Sequence, residues 1–253
     1  MNSKIVVIGS CNIDLQCFTS RLPRPGETLH GSLFRKGFGG KGANQCVAAA
    51  KLGASTAMVA RLGDDSFGQD FLEALKSNKI NTDFVHITNG ISSGMAQITV
   101  SDNGENTIVI VAGANNKLSV SDIQQASEII KIASVVVVQF ETPIETTIEA
   151  LKITKKGKGI AITNAAPATA NPDPLVFNLS DMFCVNESEG AGDMFVGSLA
   201  FYLACYPELP MKEIVKRSCE MATVSVQKHG TQTSFPTKDD LPAELFMKCS
   251  SFK

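Results

Sequence analysis

Ile5-Val6-Val7-Ile8-Gly9-Ser10 is the stretch on which the fold turns. Four β-branched apolar residues closed by a glycine turn read as a short strand buried on both faces, the usual opening of an α/β fold. Val135-Val136-Val137-Val138-Gln139-Phe140 repeats the pattern and ends at Glu141-Thr142-Pro143. Residues 57–62, 159–164 and 181–186 read as further strands. Helices are expected over 45–52, stopped by Gly53, and over 67–78, capped by Gly63-Asp64-Asp65-Ser66. Others are expected over 121–132, 144–153 and 211–226. Residues 95–100 and 107–111 bracket Asp102-Asn103-Gly104, a hairpin signal. A hairpin inserted between alternating strands and helices leaves the main sheet, so it is read as part of a small lid. A further short strand is expected over 29–35. No repeat or linker divides the chain, which reads as a single domain spanning 1–253.

Bulk properties narrow the function. The chain has 253 residues, 43% of them apolar, and a formal net charge of −2, an ordinary globular composition. No basic run or stripe points to nucleic acid. No apolar run is long enough for a bilayer, and the N-terminus does not resemble a secretory signal. Seven scattered cysteines without a C-x-x-C pair fit reduced thiols in the cytoplasm and no zinc site. The nucleus is the secondary location.

Four places carry candidate chemistry. Glu189-Gly190-Ala191-Gly192-Asp193 precedes the apolar run 194–204, a buried helix. Its first-turn amides form a seat for an anion, with the Asp193 carboxylate beside it; a tight turn with an aspartate near the N-cap is the competing reading. Asn12 and Asp14 share one face if residues 12–15 are extended, or else belong to a capped turn. Gly37-Phe38-Gly39-Gly40-Lys41-Gly42-Ala43-Asn44 formally contains G-x-G-x-x-G. It does not follow the first strand, so it is not a dinucleotide fingerprint, and Gly42 after Lys41 excludes a Walker A loop. What remains is a glycine-rich helix entry from which Lys41 and Asn44 reach a small polar ligand. Glu141 lies beyond the carboxyl end of a strand, where ligands of open α/β sheets bind; the alternative is a cap for the helix 144–153.

Taken together these segments resemble the ribokinase family of carbohydrate kinases, which also holds adenosine kinase and fructokinases. The resemblance rests on Gly9-Ser10-Cys11-Asn12-Ile13-Asp14-Leu15, Arg21-Leu22-Pro23-Arg24-Pro25-Gly26-Glu27-Thr28, Gly39-Gly40-Lys41-Gly42-Ala43-Asn44-Gln45, and Leu62-Gly63-Asp64-Asp65-Ser66-Phe67-Gly68. Val111-Ala112-Gly113-Ala114-Asn115, Asn164-Ala165-Ala166-Pro167-Ala168, Asn186-Glu187-Ser188-Glu189 and Gly190-Ala191-Gly192-Asp193 extend it over nearly the whole chain in family order.

The resemblance implies a Rossmann-like fold, a mainly parallel sheet flanked by helices, with a small β-sheet lid from segments near 12–36 and 94–112. It implies ATP-dependent phosphorylation of the 5-hydroxyl of ribose. Asn12, Asp14, Gly40, Lys41, Gly42, Ala43, Asn44 and Glu141 fall where the family holds the sugar, and Asp193 matches the general base. The amides of Gly190, Ala191 and Gly192 match the anion hole. Asn186 and Glu189 match an Asn-x-x-Glu that arranges nucleotide phosphate and Mg2+. Ser225, Lys228, Gly230 and Ser234 match part of a loop for a monovalent cation, K+. The expected partners are a sugar and ATP, with a homodimer formed through the lid.

The chain departs from the family at one junction. Asn186-Glu187-Ser188-Glu189 abuts Gly190-Ala191-Gly192-Asp193, whereas several dozen residues separate these motifs in the family. A sheet short of strands and a nucleotide site short of its wall follow. A catalytically impaired form that binds sugar or pairs through its lid is therefore the alternative, and a kinase for another sugar or nucleoside is the third.

Overall fold

The computed structural model describes residues 4–185, 191–228 and 230–247. Six strands form a parallel sheet in the order β10-β9-β8-β1-β4-β5. They are β1 (Ile5–Ile8), β4 (Thr56–Gly63), β5 (Asn81–Thr88), β8 (Val135–Val138), β9 (Ile160–Asn164) and β10 (Met182–Cys184). The two central strands, β1 and β8, are buried at every residue, as a sheet covered on both faces requires. Alternation along β1 divides the core. Ile5 and Val7 pack with helices α1 (Lys41–Lys51), α2 (Ser66–Ser77), α7 (Ala191–Cys205) and α8 (Met211–Ser225). Val6 and Ile8 pack with α3 (Val120–Gln125), α4 (Ser127–Ile132), α5 (Ile144–Lys156) and α6 (Pro174–Leu179).

A second sheet of four strands, β3-β2-β6-β7, stands apart from the first. It comprises β2 (Asn12–Thr19), β3 (Leu33–Gly39), β6 (Gly94–Ser101) and β7 (Asn106–Val111). The antiparallel β6–β7 pair is the expected hairpin, and β2 joins it in parallel.

Several boundaries differ from the sequence reading, each for a physical reason. β5 was not foreseen: its sequence mixes polar and apolar residues because it is an edge strand, half exposed. The helix expected over 121–132 is two helices that break at Ala126. β3 runs to Gly39 rather than ending at 35, since its glycines pass directly beneath Asp14 of β2. α1 starts at Lys41, four residues early. Gly40 turns the chain at φ 87°, and the first-turn amide of Lys41 finds a partner in Glu141.

At the other edge of the main sheet, β10 leaves its outer side unpaired among the described residues. Beside it lies an open, mostly apolar groove of about 480 Å³ between β10, α7 and α8. Val185, at its rim, is 77% exposed.

Candidate active site

A cavity of about 220 Å³ lies between the lid sheet and the ends of β1 and β8. It is smaller than the ~300–1,000 Å³ that drug-sized ligands occupy. Asn12, Asp14, Gly40, Lys41, Asn44, Glu141 and Asp193 all line it, facing Ile98, Ile108 and Ile110 of the lid. Seven of the residues singled out from sequence thus converge on one polar-floored, apolar-walled pocket.

Asn12 and Asp14 alternate along β2 and point to the same side, as an extended segment dictates. Asn12 is buried, and its Oδ1 accepts from Asn115 Nδ2 at 2.8 Å. Asn115 also brackets Cys11 through the backbone N–H and carbonyl of that residue. A Cβ on Gly94 would lie 2.2 Å from Asn115 Nδ2 and 2.4 Å from Asn12 Oδ1, so the pair exists only over a glycine. With its oxygen committed, Asn12 presents its N–H groups to the cavity.

Glu141 does not cap the helix that follows it. That helix, α5, starts from Pro143 with no side-chain cap. Glu141 instead accepts from the Ser10 hydroxyl and from Lys41 N–H at 2.9 Å. It therefore ties the ends of β1 and β8 to the start of α1, adding a negative charge where the helix dipole is positive. Gly42 and Ala43 are buried beneath the cavity and do not line it.

Asp193 reaches the cavity because α7 is buried nearly all round, twelve of its fifteen residues, and crosses α1 at very short range. A Cβ on Gly197 would meet Ala48 Cβ at 2.5 Å and Gln45 O at 2.7 Å. One turn away, Asp193 accepts from Asn44 Nδ2 at 2.9 Å and Gln45 Nε2 at 2.8 Å. Burial pushes its carboxyl up to about 6, against these two hydrogen bonds and the Lys41 charge, with Glu141 adding to the rise. A carboxyl tuned near the working pH is suited to accepting a proton from a hydroxyl.

Ala191 and Gly192 open α7 but line the groove beside β10 rather than the cavity. Gly190, Asn186 and Glu189 lie outside the described residues. Among the described residues no cluster of His, Cys, Asp or Glu is arranged to hold a metal. In the C-terminal loop, the Ser225 and Ser234 hydroxyls donate back to the Ala222 and Thr231 carbonyls. The ammonium of Lys51 donates to the carbonyls of Gln232 at 2.6 Å and Phe235 at 3.0 Å, and it feels the charge of Lys228. Gly230 turns this loop with φ 94°.

Gln45, Gln139, Gln232, Ser10 and Asn115 were not singled out from sequence as site residues. Gln139 carried a readable signal, a polar residue closing an otherwise apolar buried strand. Gln232 carried none, because its place depends on how the C-terminal loop folds back over α1.

Comparison with known proteins extends this picture. The pfkB family carbohydrate kinase pattern matches residues 2–189. A ribokinase of Mus musculus is 41% identical, covering 96% of this chain and 94% of its own. That alignment runs over 305 positions, more than this chain has residues, so part of the mouse protein faces a gap. A deoxyribokinase of Salmonella typhimurium is 42% identical over 73% of this chain and 60% of its own. The ribokinase of Arabidopsis thaliana, solved with ribose and ATP, superposes with a TM-score of 0.86 at 24% identity and covers all of both chains.

Proposed function

Because this chain belongs to the pfkB family of carbohydrate kinases, we propose that it transfers the γ-phosphoryl group of ATP to the 5-hydroxyl of D-ribose. The observation that carries the reading is the convergence of Asn12, Asp14, Lys41, Asn44 and Glu141 on one small cavity with the buried carboxylate of Asp193. Each sugar hydroxyl is both donor and acceptor, and a wall of carboxylates, amides and an ammonium matches that capacity. The reactive hydroxyl gives its proton to Asp193 as its oxygen attacks the γ-phosphorus. The bond to the β–γ bridging oxygen breaks, and ADP leaves. The amides from Gly190 to Asp193 are proposed to face the transferring group at the start of α7. Bound Mg2+ would neutralise phosphate charge, with Asn186 and Glu189 proposed to hold it. The C-terminal loop of Ser225, Lys228, Gly230 and Ser234 is proposed to hold K+.

A coupled assay of ATP turnover tests this. Ribose is expected to exceed adenosine and fructose in kcat/KM by at least about tenfold, with 2-deoxyribose also reduced, since a site built for a hydroxyl rejects analogues lacking it. Preference for adenosine or fructose would sink the ribose reading.

A second reading has its own support. The family match stops at Glu189, and the groove beside β10 stands uncovered. On this reading the chain binds sugar but holds ATP weakly. Calorimetry separates the two: heat from ribose with none from ATP supports the impaired form, whereas micromolar ATP affinity removes it.

We also place the protein in the cytoplasm as a homodimer paired through the lid. Among the described residues no helix is long and apolar enough to cross a membrane. Phe34 (58%) on β3 and Val109 (66%) and Val111 (47%) on β7 leave apolar side chains exposed on both edge strands of the lid sheet, which a paired lid would cover. Val109→Asp is expected to shift sedimentation from dimer to monomer; an unchanged sedimentation coefficient would exclude the lid as the interface.

A further inference from the structure

Behind Asp193 lies a directed chain of buried amides. Gln45 Nε2 and Asn44 Nδ2 donate to its two oxygens. Gln139 Nε2 donates to Gln45 Oε1 at 2.7 Å, and Gln232 Nε2 donates to Asn44 Oδ1 at 3.0 Å. These side chains come from α1, from the residue following β8 and from the C-terminal loop, and all are at most 9% exposed. The direction of every bond is forced. An ionised carboxylate only accepts, so Asn44 and Gln45 must turn their NH2 groups toward it. Their oxygens then face outward and require donors, which among the described residues the NH2 groups of Gln232 and Gln139 supply.

The outer glutamines are themselves anchored. The Gln139 backbone carbonyl accepts from Thr147 Oγ1 of α5 at 3.2 Å, and the Gln232 backbone carbonyl accepts from Lys51 of α1. The Gln139 carboxamide is wedged against β1: a Cβ on Gly9 would lie 2.0 Å from Gln139 Oε1. That oxygen has no partner among the described residues. An amide that leaves its own acceptor unsatisfied in order to donate is committed to one orientation.

We propose that Gln139 and Gln232 are positioning residues, which act through Gln45 and Asn44 to hold both oxygens of Asp193 as hydrogen-bond acceptors and so keep it ready to take the sugar proton. The proposal rests on the assignment of Asp193 as that proton acceptor, but its structural part does not require turnover. If Gln139 loses its donor, Gln45 is free to rotate and set Oε1 against the carboxylate. Two acceptors at that range cannot coexist unless Asp193 takes up a proton. Lys41 and Glu141 also act on this carboxyl, and Asp14 lines the same cavity. None of these three changes in the variants below.

The test is the titration of Asp193 followed by carbon NMR of protein labelled at aspartate Cγ, assigned by loss of the signal in Asp193→Asn. Gln139→Met and Gln232→Met keep the side-chain length and delete the donor. Each is expected to raise the Asp193 midpoint by about one pH unit; the uncharged Gln139→Leu, for use if a Met variant fails to fold, should do the same. A midpoint unmoved in folded variants overturns the proposal, whether or not the enzyme turns over. Raised midpoints support it, even if the wild-type chain shows no ribose phosphorylation and the functional reading fails. Where turnover is present, the acid limb of the kcat/KM profile must move by the same amount; an acid limb that stays in place overturns the proposal while leaving the kinase reading intact.

Discussion

Asp193→Asn is expected to lower kcat with ribose and ATP by about 10²- to 10⁴-fold, the usual contribution of a positioned general base. Ribose affinity should stay within a few-fold, because Asn12, Asp14, Lys41 and Glu141 are untouched. The effect on folding depends on pH. Asp193 sits with its carboxyl raised from 3.8 to about 6 by burial, so the folded state holds a proton more tightly than the unfolded chain does. The stability contributed by that proton is complete below the unfolded value near 3.8 and is lost as pH rises through about 6. At pH 7.5 the ionised, buried carboxylate therefore costs stability; an asparagine removes that cost but sets its own NH2 against the NH2 of Asn44 or Gln45, whose directions Gln232 and Gln139 hold. The Tm of the variant relative to the wild type should therefore be higher at pH 7.5 than near pH 4. The coupled assay and thermal melts at both pH values check the two halves. Retention of near-wild-type kcat would remove Asp193 from the chemistry. In the wild type, kcat/KM should fall below about pH 6 as the same carboxyl protonates in the free enzyme.

Gly42→Ala carries the largest expected effect on folding. A Cβ there would sit 2.7 Å from Gly9 Cα, Gly9 C and Ser10 N, all of them backbone. No flexible side chain can yield, so either β1 or the start of α1 must move. Overpacking of this kind costs about 3 kcal/mol or more when backbone blocks relaxation, a large share of a margin of roughly 5–15 kcal/mol. The displaced helix start would carry Lys41 and Asn44 with it, so ribose binding should weaken with stability. Urea denaturation gives the first effect and calorimetry the second. A midpoint unchanged from wild type would show that β1 and α1 are not locked at this crossing.

Much of this was legible in the chain before any coordinates. Ile5 to Ile8 and Val135 to Val138 are apolar without interruption because both faces of those strands are covered. The alternation of Asn12 and Asp14 on one strand face foretold their meeting in one cavity. Other elements were hidden because their patterns answer to distant contacts. β5 hides its strand character at the edge of the sheet. α1 begins early only because Glu141, a hundred residues later, receives its first amide. Gln232 reaches Asn44 from 188 residues away.

Local sequence thus determined most of the strands and helices and which polar groups are candidates for chemistry, since periodicity and glycine placement act over a few residues. Tertiary structure alone decided that Glu141 seats α1 rather than α5, and that Gly197 lets Asp193 reach Asn44 and Gln45. It also decided that two remote glutamines orient those amides. Hydrogen-bond direction is set by what lies on the far side of each amide, and that neighbour is brought there by the fold.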